Sequence, residues 1–207
     1  FLELERIKFI FHQIFLFFNA ENSSAEKLLV SELIQSLNIS LLQPAIKSLF
    51  EGSNQFILGA EFNDEVSKQV KKALDLAQRL KSKIRFDSII SKDEPYKFLE
   101  AGISGQVIRS FGIDFDQRQR QKCFLYDKVE AKSNLSTSAW TQDLYLLKIA
   151  DLEESCRIIK YLLKGLSPVA HAFTVFSDVM AANPSPSSHL YYAELEGPAG
   201  LSSIVFR

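Results

Sequence analysis

Sulfur is scarce in this sequence. Its 207 residues include two cysteines, Cys123 and Cys156, which form no CxxC pair and give no framework of disulfides. We expect both to be unreactive thiols in the interior. The histidines His12, His171 and His189 do not have the spacing of a metal-binding motif. These absences argue against a metal centre built by this sequence on its own.

An excess of one charge and a long apolar run are also missing. Lysine and arginine total 24 against 25 for aspartate and glutamate, which gives a net charge of -1. That balance provides no basic surface for a nucleic acid, so no nucleic acid partner is expected. The apolar first segment carries Glu3, Glu5, Arg6 and Lys8, and its uncharged run falls short of the roughly 20 residues that a membrane span requires. Neither a signal peptide nor a glycine-rich phosphate loop is recognisable.

Apolar residues are abundant, at 46%, and their spacing predicts a mainly α fold. The clearest amphipathic helix begins near Asp64, and another long helix is predicted over Asp143–Leu166. The first segment, residues 1–19, is apolar nearly all round, which is typical of a helix in the centre of a bundle. We expect this first helix to pack against the long one. Further helices are predicted over residues 25–37 and 41–50, and an extended piece over residues 55–58.

The predicted architecture is a single helical domain over residues 1–207. Residues 1–166 form the bundle, residues 167–189 a linker rich in proline and serine, and residues 190–207 a small β-hairpin. The hairpin prediction rests on β-branched and aromatic residues on both sides of a Pro-Ala-Gly turn. The single methionine is Met180, so we interpret the sequence as a portion of a longer chain.

The most unusual segment is FLEAGISGQVIRSFGIDFDQRQR, residues 98–120, which we call the elbow. Gly105 and Gly112 predict sharp backbone turns on either side of a short helical turn. After Gly112 the apolar and polar residues alternate with a period of two, which predicts an extended segment. That alternation places Asp114 and Asp116 on one face and the apolar side chains on the other.

The candidate polar cluster consists of Arg109, Asp114, Asp116, Arg118 and Glu196. In one interpretation these charges lie beside a cavity, where they relay protons or fix a neighbouring subunit. In the other they are salt bridges inside the elbow that lock the crossover between helices. Glu196 is either a carboxylate on a proton path or a strand residue that faces water. The sequence leaves these alternatives open.

The elbow carries a motif that resembles a known family. GISGQVIRSFGIDFDQR is similar to the pattern Gly-x-Ser-Gly-Pro-x-x-Arg-x-Ser-Gly-x-x-x-Asp-x-Arg. This pattern belongs to the large catalytic subunit of energy-converting nickel–iron hydrogenases and to its relative, the hydrogenase-like subunit of respiratory complex I. The matching residues are Gly102, Gly105, Arg109, Gly112, Asp116 and Arg118.

Four other segments resemble the family in the same order, so the resemblance extends over nearly the whole sequence. They are ELERI (residues 3–7), LFEGSNQFILGA (49–60), DLYLLKIADLEESCRIIKYLLKGL (143–166) and YYAELEGPAG (191–200). The chain departs from the family pattern where the family has polar groups near a deep cleft. Gln106 replaces the signature proline, Ile10 a histidine of the first helix, Lys148 an arginine of the long helix, and Ala199 the arginine of a turn.

The resemblance implies a helical bundle of the hydrogenase large-subunit type. The family's nickel–iron centre is held by four thiolates from two CxxC pairs, which this sequence lacks, so we expect the chain to bind no cofactor itself. A quinone, or an iron–sulfur cluster of a neighbouring subunit, is implied for the full complex. The implied partners are an iron–sulfur small subunit and other subunits of a membrane-associated complex, with this chain held peripherally on the cytoplasmic side.

The expected function is that of a core domain in an oxidoreductase large subunit, which supports electron transfer to quinone or protons. One alternative is a non-catalytic, degenerate paralogue that acts as an interaction or assembly module. Another is an unrelated helical binding domain that carries the motif by chance. The residues before Phe1 and after Arg207 would separate the first two of these interpretations. A CxxC pair on each side indicates a hydrogenase, a sheet with histidine and tyrosine but no CxxC indicates quinone chemistry, and neither feature indicates a non-catalytic relative.

Overall fold

The computed structural model describes residues 2–20, 24–36, 60–82, 95–120, 126–138, 140–165, 191–197 and 200–206. The helices in these ranges are α1 (Leu2–Ala20), α2 (Ser24–Ser36), α3 (Ala60–Leu80), α4 (Pro95–Glu100), α5 (Gln106–Ser110), α6 (Gln117–Arg120), α7 (Tyr126–Val129) and α8 (Thr141–Gly165). The strands are β1 (Tyr191–Gly197) and β2 (Gly200–Phe206). The predicted mainly α fold is therefore confirmed. The helix predicted over residues 41–50, the extended piece over 55–58, the linker over 167–189 and Cys123 lie outside the described residues.

Helices α1, α2, α3 and α8 pack around one apolar core. The longest of them, α8, contacts both α1 and α3, and α2 also contacts both. Helix α1 contributes Ile7, Ile10, Phe11 and Ile14, all fully buried and spaced as one face of a helix requires. The prediction that the first helix lies in the centre of the bundle against the long helix is confirmed.

Helix α3 buries the stripe that its sequence predicts. Val66, Val70, Ala73, Ala77 and Leu80 lie in the core. Polar residues occupy the other face, as expected of an amphipathic helix at the surface. The helix ends at Leu80, whose carbonyl oxygen accepts a hydrogen bond of 2.9 Å from the buried Tyr145 hydroxyl of α8. This contact satisfies one of the carbonyl groups left unpaired at a helix end.

Helix α8 is buried on two faces rather than one. Its predicted apolar stripe packs into the core, through residues that include Ile149, Leu152 and Cys156. A second buried face carries the polar side chains Lys148, Asp151, Glu154 and Ser155. The spacing of the apolar residues did not predict this second face, which positions the candidate site.

The described residues between the elbow and α8 contain one helical turn, α7. Helix α7 forms because Tyr126 and Val129 pack with Ile158 and other apolar residues in a small second core. Residues 130–138 follow α7 and have no regular secondary structure. We call this segment the strap.

The two strands form an antiparallel ribbon near the end of the chain. Tyr191 lies opposite Phe206 and Gly197 opposite Gly200 in the register. Strand β1 lies next to the short helix α6.

Helix α1 is the most apolar of the long helices, but it does not have the character of a membrane span. None of the helices in the described ranges combines the length and the low charge content that crossing a membrane demands.

The core position of α1 gives a stability prediction. Phe11→Ala is expected to lower the free energy of unfolding by about 3–5 kcal/mol, because removal of a fully buried ring leaves a cavity. Phe9→Ala, a matched change in the same helix, is expected to cost clearly less because that residue is 36% exposed. Urea unfolding of both variants measures the difference, and equal losses would contradict the assigned orientation of α1.

A buried ion-pair cluster as the candidate functional site

Two glycines shape the elbow. Gly105, with φ 69°, precedes α5, and Gly112, with φ 83°, follows it. Both values lie in the left-handed region, where residues with a Cβ are strained. At Gly112 a Cβ would also come within 3.1 Å of the Thr137 side chain in the strap. The predicted sharp turns are confirmed, and they hold α5 against the polar face of α8.

The centre of the site is a buried ion pair between the elbow and the long helix. Arg109 donates two hydrogen bonds to Asp151, from Nη1 to Oδ1 at 2.9 Å and from Nη2 to Oδ2 at 2.5 Å. Both side chains are almost fully removed from solvent. Two parallel hydrogen bonds between charged groups fix direction as well as distance, because the guanidinium and the carboxylate are both planar.

A second buried pair lies within the elbow. Arg118 donates from Nη2 to Asp116 Oδ2 at 2.7 Å and from Nε to Asp116 Oδ1 at 3.0 Å. Asp116 Oδ1 also accepts the backbone N–H of Arg118 at 3.0 Å. Asp116 therefore caps the first turn of α6 in addition to pairing with a charge. The two pairs are connected, since Arg109 Nη1 lies 3.9 Å from Asp116 Oδ2.

The first helix supplies a further carboxylate. Glu3 Oε1 lies 3.9 Å from Arg118 Nη1, and Glu3 Oε2 lies 3.7 Å from Arg6 Nε. The Tyr126 hydroxyl donates a hydrogen bond of 2.5 Å to Glu3 Oε1. Residues Glu3, Arg109, Asp116, Arg118 and Asp151, which we call the charged cluster, thus join α1, the elbow and α8.

Two residues at which the chain departs from the family pattern border this cluster. Gln106 donates a hydrogen bond of 2.9 Å from Nε2 to Asp151 Oδ2. It occupies the first position of α5, where a proline is also well accommodated. Lys148 lies one turn before Asp151 on α8 and donates from Nζ to Gln13 Oε1 of α1 at 2.6 Å. The substitutions therefore change the hydrogen bonds around Asp151 and between α1 and α8.

The electrostatics keep the Asp116–Arg118 pair ionised. Burial acts to raise the pKa of Asp116, but the hydrogen bonds and charge of Arg118, with the charge of Arg109, hold that pKa below its ordinary value. Burial acts to lower the pKa of Arg118, but Asp116 raises it overall. Lys148 differs, because burial lowers the pKa of its amine to about 8 although the nearby Asp151 charge opposes the shift. Asp116 and Arg118 therefore present fixed charges, and Lys148 is a neighbour whose amine has a pKa of about 8.

Three of the predicted site residues are brought together. Arg109, Asp116 and Arg118 belong to one network, in which both arginines lie within 3.9 Å of the Asp116 carboxylate. The prediction that Asp114 and Asp116 share a face is wrong, because Asp114 is exposed while Asp116 is buried. Residues 113–116 pair with no neighbouring strand among the described residues, so the alternation of an extended sheet does not apply to them. Glu196 lies in β1, and its side chain is outside what the structure describes.

Asp151 and Glu3 are the cluster residues that the sequence analysis missed. Each occurs in a helix that otherwise contributes to the core. The available signal was a set of polar residues at positions 148, 151 and 155, which recur at helical spacing along a face that is neither the core stripe nor the solvent side. A charge placed at such positions has to be paired.

The described residues do not fit the nickel–iron centre of the hydrogenases. Within those ranges no group of three or more histidine, cysteine, aspartate or glutamate side chains is arranged to hold a metal ion. Cys156 is buried in the core, and burial raises the pKa of its thiol to about 12, so the thiolate form that binds metals is disfavoured. No chemical step through such a centre is derived from this chain.

The buried pairs give a second stability prediction. Asp151→Asn keeps the shape of the side chain but leaves Arg109 as a buried charge without its partner, so the free energy of unfolding is expected to fall by about 3–5 kcal/mol. Asp75→Asn, the same change at an exposed position of α3, is the control and is expected to alter it by less than about 0.5 kcal/mol. Denaturant unfolding measures both, and a loss below about 1 kcal/mol in Asp151→Asn would show that the pair does not hold the elbow.

Lys148 gives a prediction on pH dependence. Its amine has a pKa of about 8 in the folded chain against an ordinary value of 10.5, so between these values the folded state binds fewer protons than the unfolded state. The contribution of Lys148 to the free energy of unfolding therefore rises with pH over this interval. Lys148→Met is expected to be more stable than the parent at pH 7, by about 1–3 kcal/mol, and to lose that advantage between pH 8 and pH 10.5.

The control for this comparison is Lys71→Met, at an exposed position of α3. The stability of that variant relative to the parent should change little over the same pH interval, because an exposed amine keeps nearly the same surroundings when the chain unfolds. If the free energies of unfolding of Lys148→Met and the parent differ by a constant amount across this pH interval, the lowered pKa of Lys148 is wrong.

Comparison of the sequence with known proteins identifies relatives of this chain. The profile of the family described as "Respiratory-chain NADH dehydrogenase, 49 Kd subunit" matches residues 59–196. The D subunit of the NADH-quinone oxidoreductase of Alkalilimnicola ehrlichii is 38% identical over 66 residues, which are 32% of this chain and 16% of that protein. The corresponding protein of Hydrogenovibrio crunogenus is 33% identical over 72 residues, 35% of this chain and 17% of that protein. That of Xanthomonas campestris is 37% identical over 65 residues, 31% of this chain and 15% of that protein.

These relatives are matched over a small part of their own length, whereas the family profile covers more than half of this chain. The matched region contains the elbow, the strap and α8, and hence Arg109, Asp116, Arg118 and Asp151 of the charged cluster. The chain therefore belongs to the family of the 49 kDa subunit of respiratory-chain NADH dehydrogenase.

Proposed function

We propose that this chain forms a core part of a 49 kDa-type component of an NADH:quinone oxidoreductase. There it supports electron transfer to quinone beside an iron–sulfur partner subunit. The observation that carries this proposal is the elbow motif, whose Arg109, Asp116 and Arg118 build one buried network in a chain matched by the family profile.

The proposed contribution of the chain is positional. Electron transfer between redox groups requires fixed separations, and the charged cluster is suited to fixing them because its pairs are bidentate and buried. A change in the relative position of α1, the elbow and α8 would break at least one of these hydrogen bonds. In this proposal the chain binds no redox group itself. The redox groups of the assembled complex are a quinone or an iron–sulfur cluster of a neighbouring subunit.

The names of the relatives support a multi-subunit setting. Each of them is by its name one component of a multi-subunit enzyme. We place the chain on the cytoplasmic side of a membrane, held peripherally by its partner subunits.

The second candidate function is a non-catalytic paralogue that acts as an interaction or assembly module. The observation that favours it is the surroundings of Asp151, where Gln106 donates to the carboxylate and Lys148 bonds to Gln13. Ile10, at the position of a family histidine, is fully buried in the core. Ile10 removes a polar group that the resemblance associates with the cleft, Gln106 and Lys148 change the hydrogen bonds around it, and the Arg109–Asp151 pair stays in place.

Isolation of the native complex tests the proposal. The full-length protein, tagged in its own cells, is expected to co-purify from membranes with an iron–sulfur subunit, and the isolate is expected to reduce a short-chain quinone with NADH. Asp151→Asn should lower the amount of assembled complex and the quinone reductase activity in the same proportion, because the role of the cluster is to fix positions. Asp75→Asn, at an exposed position of α3, is the control and should leave both unchanged.

Each outcome decides between the candidates. Co-purification with a complex that does not oxidise NADH, or full activity in cells that lack the protein, would favour the assembly module. A tagged protein that enters no complex with an iron–sulfur subunit would overturn the proposal.

A further inference from the structure

The strap, residues 130–138, is attached to the rest of the chain by hydrogen bonds and by Ala131, which packs with Val129 and Ile158. The backbone N–H of Lys132 donates to Glu154 Oε1 of α8 at 2.8 Å, and the Gln119 amide donates to the carbonyl oxygen of Ala131 at 3.0 Å. The strap has no regular secondary structure of its own, so its position depends on these contacts.

One salt bridge organises the start of the strap. Arg157 donates to both carboxylate oxygens of Glu154 at 2.7 Å, and its Nη2 also donates to the carbonyl oxygens of Val129 and Glu130. The Glu154 carboxylate therefore joins Arg157 to the backbone of Lys132. The Arg157 side chain is 40% exposed, so this link between α8 and the strap is accessible to water.

The far half of the strap covers the charged cluster. The backbone N–H of Ser136 donates to the carbonyl oxygen of Arg109 at 3.0 Å, and Asn134 Nδ2 lies 3.4 Å from Asp151 Oδ1. Thr137 packs so closely on Gly112 that a Cβ there would meet its side chain at 3.1 Å. The strap therefore forms the outer wall over the Arg109–Asp151 pair.

The strap begins at a strained residue. Glu130 has φ 48°, which is the left-handed region and is uncommon for residues other than glycine. It directly follows α7, and its carbonyl oxygen accepts a hydrogen bond of 3.0 Å from Arg157. A strained backbone persists only where surrounding contacts hold it, so loss of the Arg157 contacts would favour rotation at this residue.

We propose that the strap is a hinged cover that opens as a unit at Glu130, and that the Arg157–Glu154 bridge controls this opening. Opening admits water to the Arg109–Asp151 pair while the four-helix core stays folded. The cover controls whether water reaches the charged cluster. This proposal does not depend on the electron-transfer role proposed above, so either proposal can be wrong without affecting the other.

Thiol labelling of the full chain tests the cover. The Ser133 hydroxyl oxygen is buried, so Ser133→Cys in a Cys123→Ser background places a reactive thiol under the strap. An aromatic disulfide reagent then reports opening by its rate of reaction. Arg157→Gln is expected to raise that rate about tenfold, because the bridge and both backbone contacts are lost. Lys160→Gln, which removes the same charge from an exposed position one turn later on α8, is the control and should leave the rate within about twofold.

Cys156 distinguishes local from global opening, because it lies in the core of the same chain. If Cys156 reacts as fast as the strap thiol, the chain unfolds as a whole and the proposal is wrong. Equal strap labelling in Arg157→Gln and the parent would overturn it as well.

Hydrogen exchange of the unmutated chain is the second measurement. The amides of Lys132 and Ser136 are expected to exchange at a common rate that is faster than the rates in α8. Independent rates for these two amides would contradict opening as a unit.

Discussion

The bidentate pair between Arg109 and Asp151 is the interaction on which the rest of the structure depends. It joins the elbow to the long helix inside the protein, where neither charge can be solvated if the other is absent. Asp116 and Arg118 extend the network within the elbow, and Glu3 extends it to the first helix. The apolar core holds four helices together by a non-directional force, whereas these ion pairs specify the relative position of α1, the elbow and α8.

The long helices of the bundle were predictable from the sequence because burial imposes a period that the residues of α3 and α8 follow. The glycine turns were predictable because only glycine accepts their backbone angles at low cost. Asp151 was not, since its position in α8 can be recognised only if the helix is known to bury a second face. Nor was the separation of Asp114 from Asp116, which depends on a turn into α6 that has no periodic signature.

The same limit applies to function. A motif of glycines and charges identifies the family, but the chemistry of a family member depends on groups that can react. In the described part of this chain the charged residues of the motif are held in buried ion pairs, and the charges of Asp116 and Arg118 are stabilised by each other. Lys148, whose amine titrates near neutral pH, is the buried residue beside the network that departs from this pattern.

The carboxylate of Asp116 both caps α6 and forms an ion pair with Arg118. Its Oδ1 accepts both the amide N–H and the Nε of Arg118, so the capping of α6 and the ion pair share an atom. No single substitution of Asp116 preserves both roles. Glutamate would keep the charge but move it away from the Arg118 amide. Asparagine would keep the helix cap but would not neutralise the Arg118 guanidinium. Related sequences that lose this aspartate should therefore change Arg118 as well.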